Sequence, residues 1–434
     1  MGKTKSLHFD ALRETLSARV RQFADRRQKG KIAHEMHDCC LSAFAMMYFQ
    51  DPSMLAFQTR LQDLWHRNNL KTLFAVETIP KDTALRDNLD SIPSRNFYPV
   101  FTDYFRALQR AGRLKPFKIF NDTYLISIDG TEYFESYQIC CPSCLRRQRR
   151  NGKVQYLHQA MGGVIVNPDK PYALPLAPEP IHNQDGNNKQ DCETNAGKRF
   201  IDRIRQDHPK LKITITGDSL YSKKPFIEKL RAAGMSYILV AKPHDHKHLF
   251  RKVVEHEDLG HIQRYEVTDA KGTTHIYTWC NDLALNASCD IKTNYFEYWK
   301  VVDEDHMTFK NSWVTDIPVT SSNVRELVRA GRTRHKIENE SFNTLKKQGY
   351  HAEHNFGHGQ KNLSFNFFLL ILLAFFMHQI LEMNDDLYAK ARAKFSARKE
   401  CWNALRTLIQ FMVFDSWQAL LLFVLSPPRH PRPP

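Results

Sequence analysis

The chain has 434 residues, 42% of them hydrophobic, so we expect one large domain with insertions or two to three domains. Its 62 Lys and Arg against 47 Asp and Glu give a net charge of +15, which favours a polyanionic partner, most often nucleic acid, or an anionic membrane surface. No apolar signal segment follows residues 1–6, and the nine cysteines are an odd number, so a reducing cytoplasm is expected rather than a disulfide framework.

The first 95 residues are predicted to form a basic helical region. Apolar residues recur at helical spacing in residues 7–31, and Asp51 or Ser53 can cap a further helix. Residues 68–95 are expected to be irregular, and residues 96–114 to be helical. A basic helical region of this size predicts DNA binding, with a solvated amphipathic bundle as the alternative.

An apolar, β-branched stretch beginning at Tyr124 stops at Asp129-Gly130, which predicts a buried strand that ends there. Residues 132–139 are predicted to return as the second strand of a hairpin. A buried carboxylate requires a cation, a proton or solvent. Asp129 is therefore either part of an Asp-Gly turn or a metal ligand at a sheet edge.

A cysteine pair follows this strand. Cys141 and Cys144 have the Cys-x-x-Cys spacing of a zinc half-site, in which two thiolates bind a tetrahedral ion. A complete site needs two more ligands, and His158, His182 and Cys192 are candidates without matched spacing. Structural zinc and a pair of metal-free thiols both remain open.

A second strand also ends in an acidic residue. Residues 212–216 predict a strand that runs into Asp218, followed by a helix over 222–233 and a strand over 237–241. This β-α-β order predicts parallel pairing in an α/β sheet. Ligands of open α/β sheets bind at the carboxyl ends of the strands, so Asp129 and Asp218 are predicted to share divalent ions there.

The next region changes in character. Residues 242–310 predict an all-β insertion, and residues 321–348 predict a long helix. On that helix Arg334 and Glu338 share a face. Glu340 lies about 200° around a regular helix from Glu338, so both cannot point at the same ions.

The C-terminal part holds two apolar segments. Residues 363–383 contain an unbroken apolar run of eleven, below the roughly 18 needed to span a bilayer, so a buried core helix is expected. A membrane anchor is the alternative. A basic helix, an apolar helix over 405–425 and a disordered tail over 427–434 are predicted to follow.

Four stretches together resemble the DDE transposases of bacterial insertion sequences. They read Gln-Asp-Pro-Ser at 50–53, Ile-Asp-Gly-Thr at 128–131, Gly-Asp-Ser-Leu-Tyr at 217–221 and Arg-His-Lys-Ile-Glu-Asn-Glu-Ser-Phe-Asn at 334–343. The last is similar to the Arg and Glu of the Tyr-Arg-Glu-Lys signature of one transposase group. If Glu338 is the glutamate of the signature, the signature lysine would fall at position 345, one residue before Lys346. If Glu340 is that glutamate, the signature lysine falls on Lys347.

The resemblance implies an α/β fold with an RNase H-like catalytic core, an all-β insertion, and helical N-terminal and C-terminal regions. The corresponding ranges are a helical basic DNA-binding region over 1–95, catalytic segments over 96–241 and 311–358, the β-rich insertion over 242–310, apolar helices over 359–426 and the tail over 427–434.

The resemblance also implies a function. Asp129, Asp218 and Glu338 would be the catalytic ligands of two Mg²⁺ (or Mn²⁺) ions, and the side chains of Arg334, Lys346 and Lys347 would bind DNA. The protein would cut and join double-stranded DNA at the inverted repeats of its element, as a homodimer at the bacterial nucleoid in the cytoplasm, without a membrane. The alternatives are a nuclease or domesticated DNA-binding protein without strand transfer and, from another class, a membrane-associated basic protein.

Overall fold

The computed structural model of the protein describes residues 5–25, 27–28, 30, 32–182, 191–288, 291–303 and 306–427. The predicted disordered tail, apart from its first residue, lies outside these ranges. The described helices are α1 (Phe9–Val20), α2 (Met36–Tyr48), α3 (Met54–Arg60), α4 (Leu64–Phe74), α5 (Asp82–Ser91), α6 (Tyr98–Arg110), α7 (Glu193–Asp207), α8 (Lys224–Ala232), α9 (Lys247–Asp258), α10 (Val324–Arg332), α11 (Asn343–Lys347), α12 (Leu363–Asn384), α13 (Asp386–Ala393), α14 (Arg398–Phe411) and α15 (Trp417–Leu425). The described strands are β1 (Lys118–Ile119), β2 (Thr123–Ser136), β3 (Leu145–Gln148), β4 (Val154–Val166), β5 (Leu174–Pro175), β6 (Glu179–Ile181), β7 (Ile213–Gly217), β8 (Ser236–Val240), β9 (Gln263–Thr268), β10 (Thr274–Ala284), β11 (Lys292–Asp303) and β12 (His306–Thr315).

The fold is mixed α/β, as predicted, and one mixed sheet joins these strands. The strand order is β3-β4-β2-β7-β8-β12-β11-β10-β9, with β1, β5 and β6 as short additions. Strands β2, β7 and β8 are mutually parallel, and the remaining pairs are antiparallel. Helix α8 connects β7 to β8, which is the β-α-β unit that the sequence predicts.

Asp129 lies within β2 rather than at its end. The predictions that the strand stops there and pairs with residues 132–139 were wrong, because β4 pairs with β2 throughout, with Gly162 opposite Asp129. The parallel partner β7 is shorter: its pairing with β2 reaches only Ser127, and it ends at Gly217. Asp129 therefore lies beside the carboxyl end of β7.

The inserted region over 242–310 is not all-β. It begins with helix α9, whose Leu249 is fully buried, and its strands β9 to β12 do not form a separate sheet. Trp313 on β12 pairs with Val240 on β8, so these strands extend the central sheet. The helix has 12 residues, and its apolar residues Leu249, Phe250 and Val253 pack against the core, but the sequence analysis missed it.

Two further predictions fail in the helical regions. Residues 68–95, expected to be irregular, contain most of α4 and all of α5, because Leu85 and Leu89 pack into the core beside α2 and α12. The single helix predicted over 405–425 is two helices, because the Ser416 hydroxyl accepts the Ala419 amide at 3.1 Å and starts α15.

Helix α12 is the centre of the helical part. Among the described helices, α12 is long and apolar enough to cross a membrane, but 94% of its most apolar window is buried inside the protein. Helices α2, α5, α6 and α13 pack around it. The predicted core helix is therefore present, and N-terminal and C-terminal helices share one apolar core.

The helical segment that carries Glu338, residues 324–347, is continuous but not regular. It passes from α10 through a 3₁₀ turn at Thr333–His335 and a π turn at Ile337–Phe342 into α11. We call it the Glu338 helix. Local rewinding of this kind changes the direction in which successive side chains point, so regular-helix angles do not apply at Glu338.

Two glycines of β4 let aromatic rings approach the sheet from its two faces. A Cβ atom on Gly162 would lie 2.7 Å from Cζ of Phe342 on the Glu338 helix. A Cβ atom on Gly163 would overlap the ring of Phe200 on α7. Because neighbouring strand residues face opposite sides, these two contacts fix the two helices on either side of the sheet.

We predict that Gly162→Ala lowers the free energy of unfolding by about 1–3 kcal/mol, the usual cost of overpacking, as measured by urea denaturation. The added methyl group meets the Phe342 ring. In a Phe342→Leu background the same substitution should cost less, because the ring atoms are absent. An equal cost in both backgrounds would contradict the assignment of this contact.

Candidate active site

Asp129 is held on the central strand of the sheet with its carboxylate half-buried. The Gly130 amide donates a hydrogen bond to Oδ1 of Asp129 at 3.0 Å, which fixes the orientation of the side chain. Strand β2 is buried on both faces up to this point, so the position is rigid.

Glu338 reaches Asp129 from the helix that crosses this face. The two carboxyl groups lie within hydrogen-bonding reach of each other. The Ser127 hydroxyl donates to the Arg334 carbonyl at 2.7 Å, which ties the helix to β2 two residues before Asp129. Ile337 is fully buried in the underlying core. The structure thus brings together two of the predicted acids.

Arg334 lies beside this pair. Its Nη1 is 3.3 Å from Oε1 of Glu338, and the side chains are 26% and 45% exposed. An exposed pair of this kind contributes little to stability. Its effect is to orient Glu338 while leaving part of the guanidinium open to a ligand.

Glu340 points elsewhere. The charged neighbour that it influences is Lys336, whose Nζ donates to the carbonyls of Asn167 at 2.7 Å and Lys170 at 2.6 Å. That lysine anchors the loop after β4. Glu338 is among the chief influences on Asp129 and Glu340 is not, so Glu338 as the third acid stays a prediction consistent with this placement.

Asp218 follows β7 directly. Its Oδ1 accepts the Leu220 amide at 2.8 Å, which holds the carboxylate over the strand end. Both Asp218 and Asp129 influence the buried Tyr221 hydroxyl, so the two acids flank the same side chain. The predicted adjacency of the two strands is confirmed by the pairing of Ser127 with Thr216.

A fourth acid, Glu193, was missed by the sequence analysis. It is the first residue of α7, and its Oε1 accepts a short hydrogen bond from the Tyr221 hydroxyl. Its carboxylate also lies against Gly130, where any Cβ atom would displace it. The only sign of Glu193 in the sequence is its position at the start of a helix. That position alone does not distinguish a site residue from an ordinary acid in a first helical turn.

The electrostatics of these acids suit a divalent cation. Burial raises the pKa of Asp129 to about 8, with Glu338 and Glu193 adding to the rise and Arg334 opposing it. Burial also raises the pKa of Glu193, with the Asp218 charge adding to the rise. The positive charge of Arg334 therefore does not neutralise the carboxylates. Their oxygen atoms are hard donors, which Mg²⁺ and Mn²⁺ prefer as ligands.

The predicted DNA-binding lysines lie at the end of the same helix. Lys346 is half-buried and pairs with Glu353 at 3.2 Å, whereas Lys347 is exposed. Neither has a described contact with the acids. Their binding to DNA stays a prediction.

The predicted zinc half-site has partners away from the acids. Cys141 and Cys144 lie with His158, one of the three candidates, and with His358, which the sequence analysis missed. His182 and Cys192 are not in this group. A lone histidine beyond the Glu338 helix carries no spacing signal, so only the tertiary structure identifies His358.

We predict that Asp129→Asn raises the midpoint temperature of unfolding in magnesium-free buffer at pH 9. The pKa of Asp129 is raised to about 8, so its contribution to stability is present at low pH and is lost as pH rises toward and through that value. The asparagine side chain of the variant carries no charge at any of these pH values. The difference from wild type should grow from pH 5 to pH 9 and reach about 2 °C or more, which corresponds to roughly 1 kcal/mol in domains of 150–250 residues.

Differential scanning calorimetry at several pH values measures this difference. The exposed Asp258 provides the control, since Asp258→Asn should give a pH-independent difference. A pH-independent difference for Asp129→Asn as well would contradict the crowding of charges at this site.

Comparison with known protein families adds an independent finding. The family described as "Transposase DDE domain" matches residues 176–376, a range that contains Glu193, Asp218 and Glu338. Asp129 precedes the matched range and joins these acids through the pairing of β2 with β7. No curated protein matches the chain. The matched range and the acids brought together at the carboxyl end of β7 agree on one conclusion: residues 176–376 match a transposase DDE domain.

Proposed function

We propose that this protein is a cut-and-paste DNA transposase, which binds the ends of its element, cleaves them and joins them to target DNA. The observation that carries the proposal is the placement of Glu338 within hydrogen-bonding reach of Asp129, beside the strand end that leads into Asp218. Domains of the matched family generally use divalent metal ions and act on DNA. Mg²⁺ or Mn²⁺ is the cation proposed here.

An RNase H-like arrangement of the catalytic domain is part of this proposal. It is supported by the antiparallel pair β4 and β2, followed in the sheet by the parallel strands β7 and β8. The acids on β2, after β7 and on the Glu338 helix all meet at the carboxyl end of β7. Ligands of open α/β sheets bind at such an edge.

Asp129, Asp218 and Glu338 are the residues that would hold two Mg²⁺ ions. When bound, the ions would supply activation of the attacking oxygen and stabilisation of charge on the leaving oxygen. Glu193 lies beside them: its carboxylate is hydrogen-bonded to Tyr221 and packs against Gly130, the residue after Asp129. The protein contributes a rigid arrangement of oxygen donors, since each acid is fixed by a strand or a packed helix.

The chemical step proposed is in-line displacement at phosphorus. In cleavage, a water oxygen attacks the phosphorus, the bond to the 3′ oxygen breaks, and the leaving 3′ oxygen takes up a proton. In strand transfer, the freed 3′-OH attacks a target phosphodiester and displaces the target 3′ oxygen. No covalent bond to the protein forms.

Contacts to DNA are assigned to the cations of the Glu338 helix. Arg334 presents a planar guanidinium beside the acids, which suits bidentate binding of a phosphate. Lys346 and Lys347 would contact the backbone further along the DNA. Two element ends must be held together, so we propose a homodimer on terminal inverted repeats, in the bacterial cytoplasm at the nucleoid.

We predict that Asp129→Asn, Asp218→Asn and Glu338→Gln each reduce Mg²⁺-dependent cleavage by roughly 10³-fold or more, equivalent to about 4 kcal/mol of lost transition-state stabilisation. The substrate is a labelled duplex carrying the inverted repeat that flanks the gene. Binding to the same duplex in Ca²⁺ should be retained, because phosphate contacts come from Arg and Lys side chains.

Glu340→Gln is the matched control and should cleave at nearly the wild-type rate. Cleavage retained in Glu338→Gln and lost in Glu340→Gln would overturn the assignment of the third acid. Wild-type cleavage that gives no joined product, with target DNA supplied, would instead favour a nuclease without strand transfer.

A second prediction concerns Ser127, which positions the Glu338 helix. Ser127→Ala removes the 2.7 Å hydrogen bond to the Arg334 carbonyl. A bond of this kind contributes about 1 kcal/mol, so we expect a fall in the cleavage rate of up to roughly tenfold at saturating DNA, with little change in DNA affinity.

Ser312→Ala is the control for Ser127→Ala. Ser312 lies on β12 and donates a similar buried hydrogen bond to the Ala241 carbonyl at 2.9 Å. Both variants should lose similar stability, and only Ser127→Ala should lose cleavage. Equal loss of cleavage in both would show that Ser127 acts through general stability.

A further inference from the structure

We propose that Cys141, Cys144, His158 and His358 bind one structural zinc ion. Their four ligand atoms all lie within 4.8 Å of one another, although the residues come from three separate parts of the chain. The two cysteines lie in the connection between β2 and β3, His158 lies in β4, and His358 lies between α11 and α12.

Five of the six distances between ligand atoms are close to the edges of a zinc tetrahedron, and the sixth, from Cys141 to His358, is within 4.8 Å. Zn–S bonds of about 2.3 Å and Zn–N bonds of about 2.0–2.1 Å imply edges of about 3.8 Å for S···S, about 3.5 Å for S···N and about 3.3 Å for N···N. The observed values are 3.9 Å between the two sulfurs, 3.6 and 3.5 Å from Cys141 and Cys144 to Nε2 of His158, 3.3 Å from Cys144 to Nε2 of His358, and 3.1 Å between the two Nε2 atoms.

The surroundings orient these ligands. Nδ1 of His358 lies 3.1 Å from the Gly359 carbonyl, so that nitrogen carries the proton and Nε2 offers its lone pair. The Cys141 amide donates to Sγ of Cys144 at 3.4 Å, and the Cys144 amide donates to the Cys141 carbonyl at 3.1 Å. This turn presents both sulfurs to one point.

Most of the site is buried, and its half-buried member, Cys141, lies at the edge of a pocket. Cys144, His158 and His358 are 2%, 6% and 9% exposed. The Phe134 ring lies 4.5 Å from the His358 ring and 5.6 Å from the His158 ring, between centroids. Four protein ligands leave no open position, which is typical of a structural rather than a catalytic zinc. Two thiolates and two imidazoles in a tetrahedron favour zinc over Mg²⁺ or Ca²⁺.

The ion would fasten the segment after the Glu338 helix to the β2–β4 hairpin. That segment, residues 348–362, contains no helix or strand and leads into α12. At its far end the Asp90 carboxylate accepts the amides of Lys361 and Leu363 at 3.0 and 2.9 Å. If His358 binds the zinc, the ion would attach the segment to the sheet and Asp90 would attach it to the helical core.

The test is metal analysis of the full chain, purified without added metal, by inductively coupled plasma mass spectrometry. We expect about one zinc per chain in the wild type and about 0.1 or less in Cys144→Ser and in His358→Gln. The controls are Cys140→Ser and His354→Gln, which change exposed neighbours outside the group and should keep zinc. Asp129→Asn should also keep zinc, because this site is independent of the acids.

Wild-type protein that contains no zinc and takes up none on addition would overturn the proposal. Zinc retained in both Cys144→Ser and His358→Gln would overturn the ligand assignment. If these variants do not fold, X-ray absorption of the wild-type protein decides: two sulfur and two nitrogen neighbours around zinc support the site, and any other set contradicts it.

Discussion

The constraint on which the site depends is the crowding of like charges at the carboxyl end of β7, inside the sheet. Asp129 is held on β2, Asp218 follows the parallel neighbour β7, and Glu338 arrives from a helix packed across the face. Such an arrangement is unfavourable without a cation, as the raised pKa of Asp129 indicates. The arrangement persists because the free energy gained from the surrounding packing exceeds the cost of the repulsion between the carboxylates. Local strain or repulsion that the fold maintains is common at functional sites.

The packing that maintains it is made of small residues at close approaches. Gly162 admits Phe342 from the Glu338 helix, and Gly163 admits Phe200 from α7 on the other face. Ser127 then fixes the helix to β2 through the Arg334 carbonyl. Uncharged contacts thus position the backbone segments that carry the acids, and the Arg334 ion pair orients the Glu338 side chain. The extension of the sheet contributes as well, because Gly331 of α10 lies against the Trp313 indole of β12.

A second level of organisation joins the catalytic sheet to the helical core. Helix α12 is enclosed by helices from both ends of the chain. The segment between the Glu338 helix and α12 contains His358. Where the segment enters α12, the Asp90 carboxylate accepts the Leu363 amide. The proposed zinc would link that segment to the hairpin that carries Asp129, so the two metal sites would have separate roles. The acids would bind the ions used in chemistry, and the cysteines and histidines would stabilise the scaffold.

The sequence by itself determined the α/β class, the parallel pairing of β7 with β8 and the Cys-x-x-Cys pair, because short-range patterns report strands, turns and ligand spacing. It also predicted Asp129, Asp218 and Glu338 as the acids of one site. It did not determine that β2 continues through Asp129, that residues 68–95 are largely helical, or that helix α9 opens the insertion, since each depends on a distant partner. The proximity of Glu338 to Asp129, and the positions of Glu193 and His358 beside the predicted residues, are visible only in the tertiary structure. Residues far apart in the chain become neighbours through strand pairing and helix packing, and a single sequence does not record which partners meet.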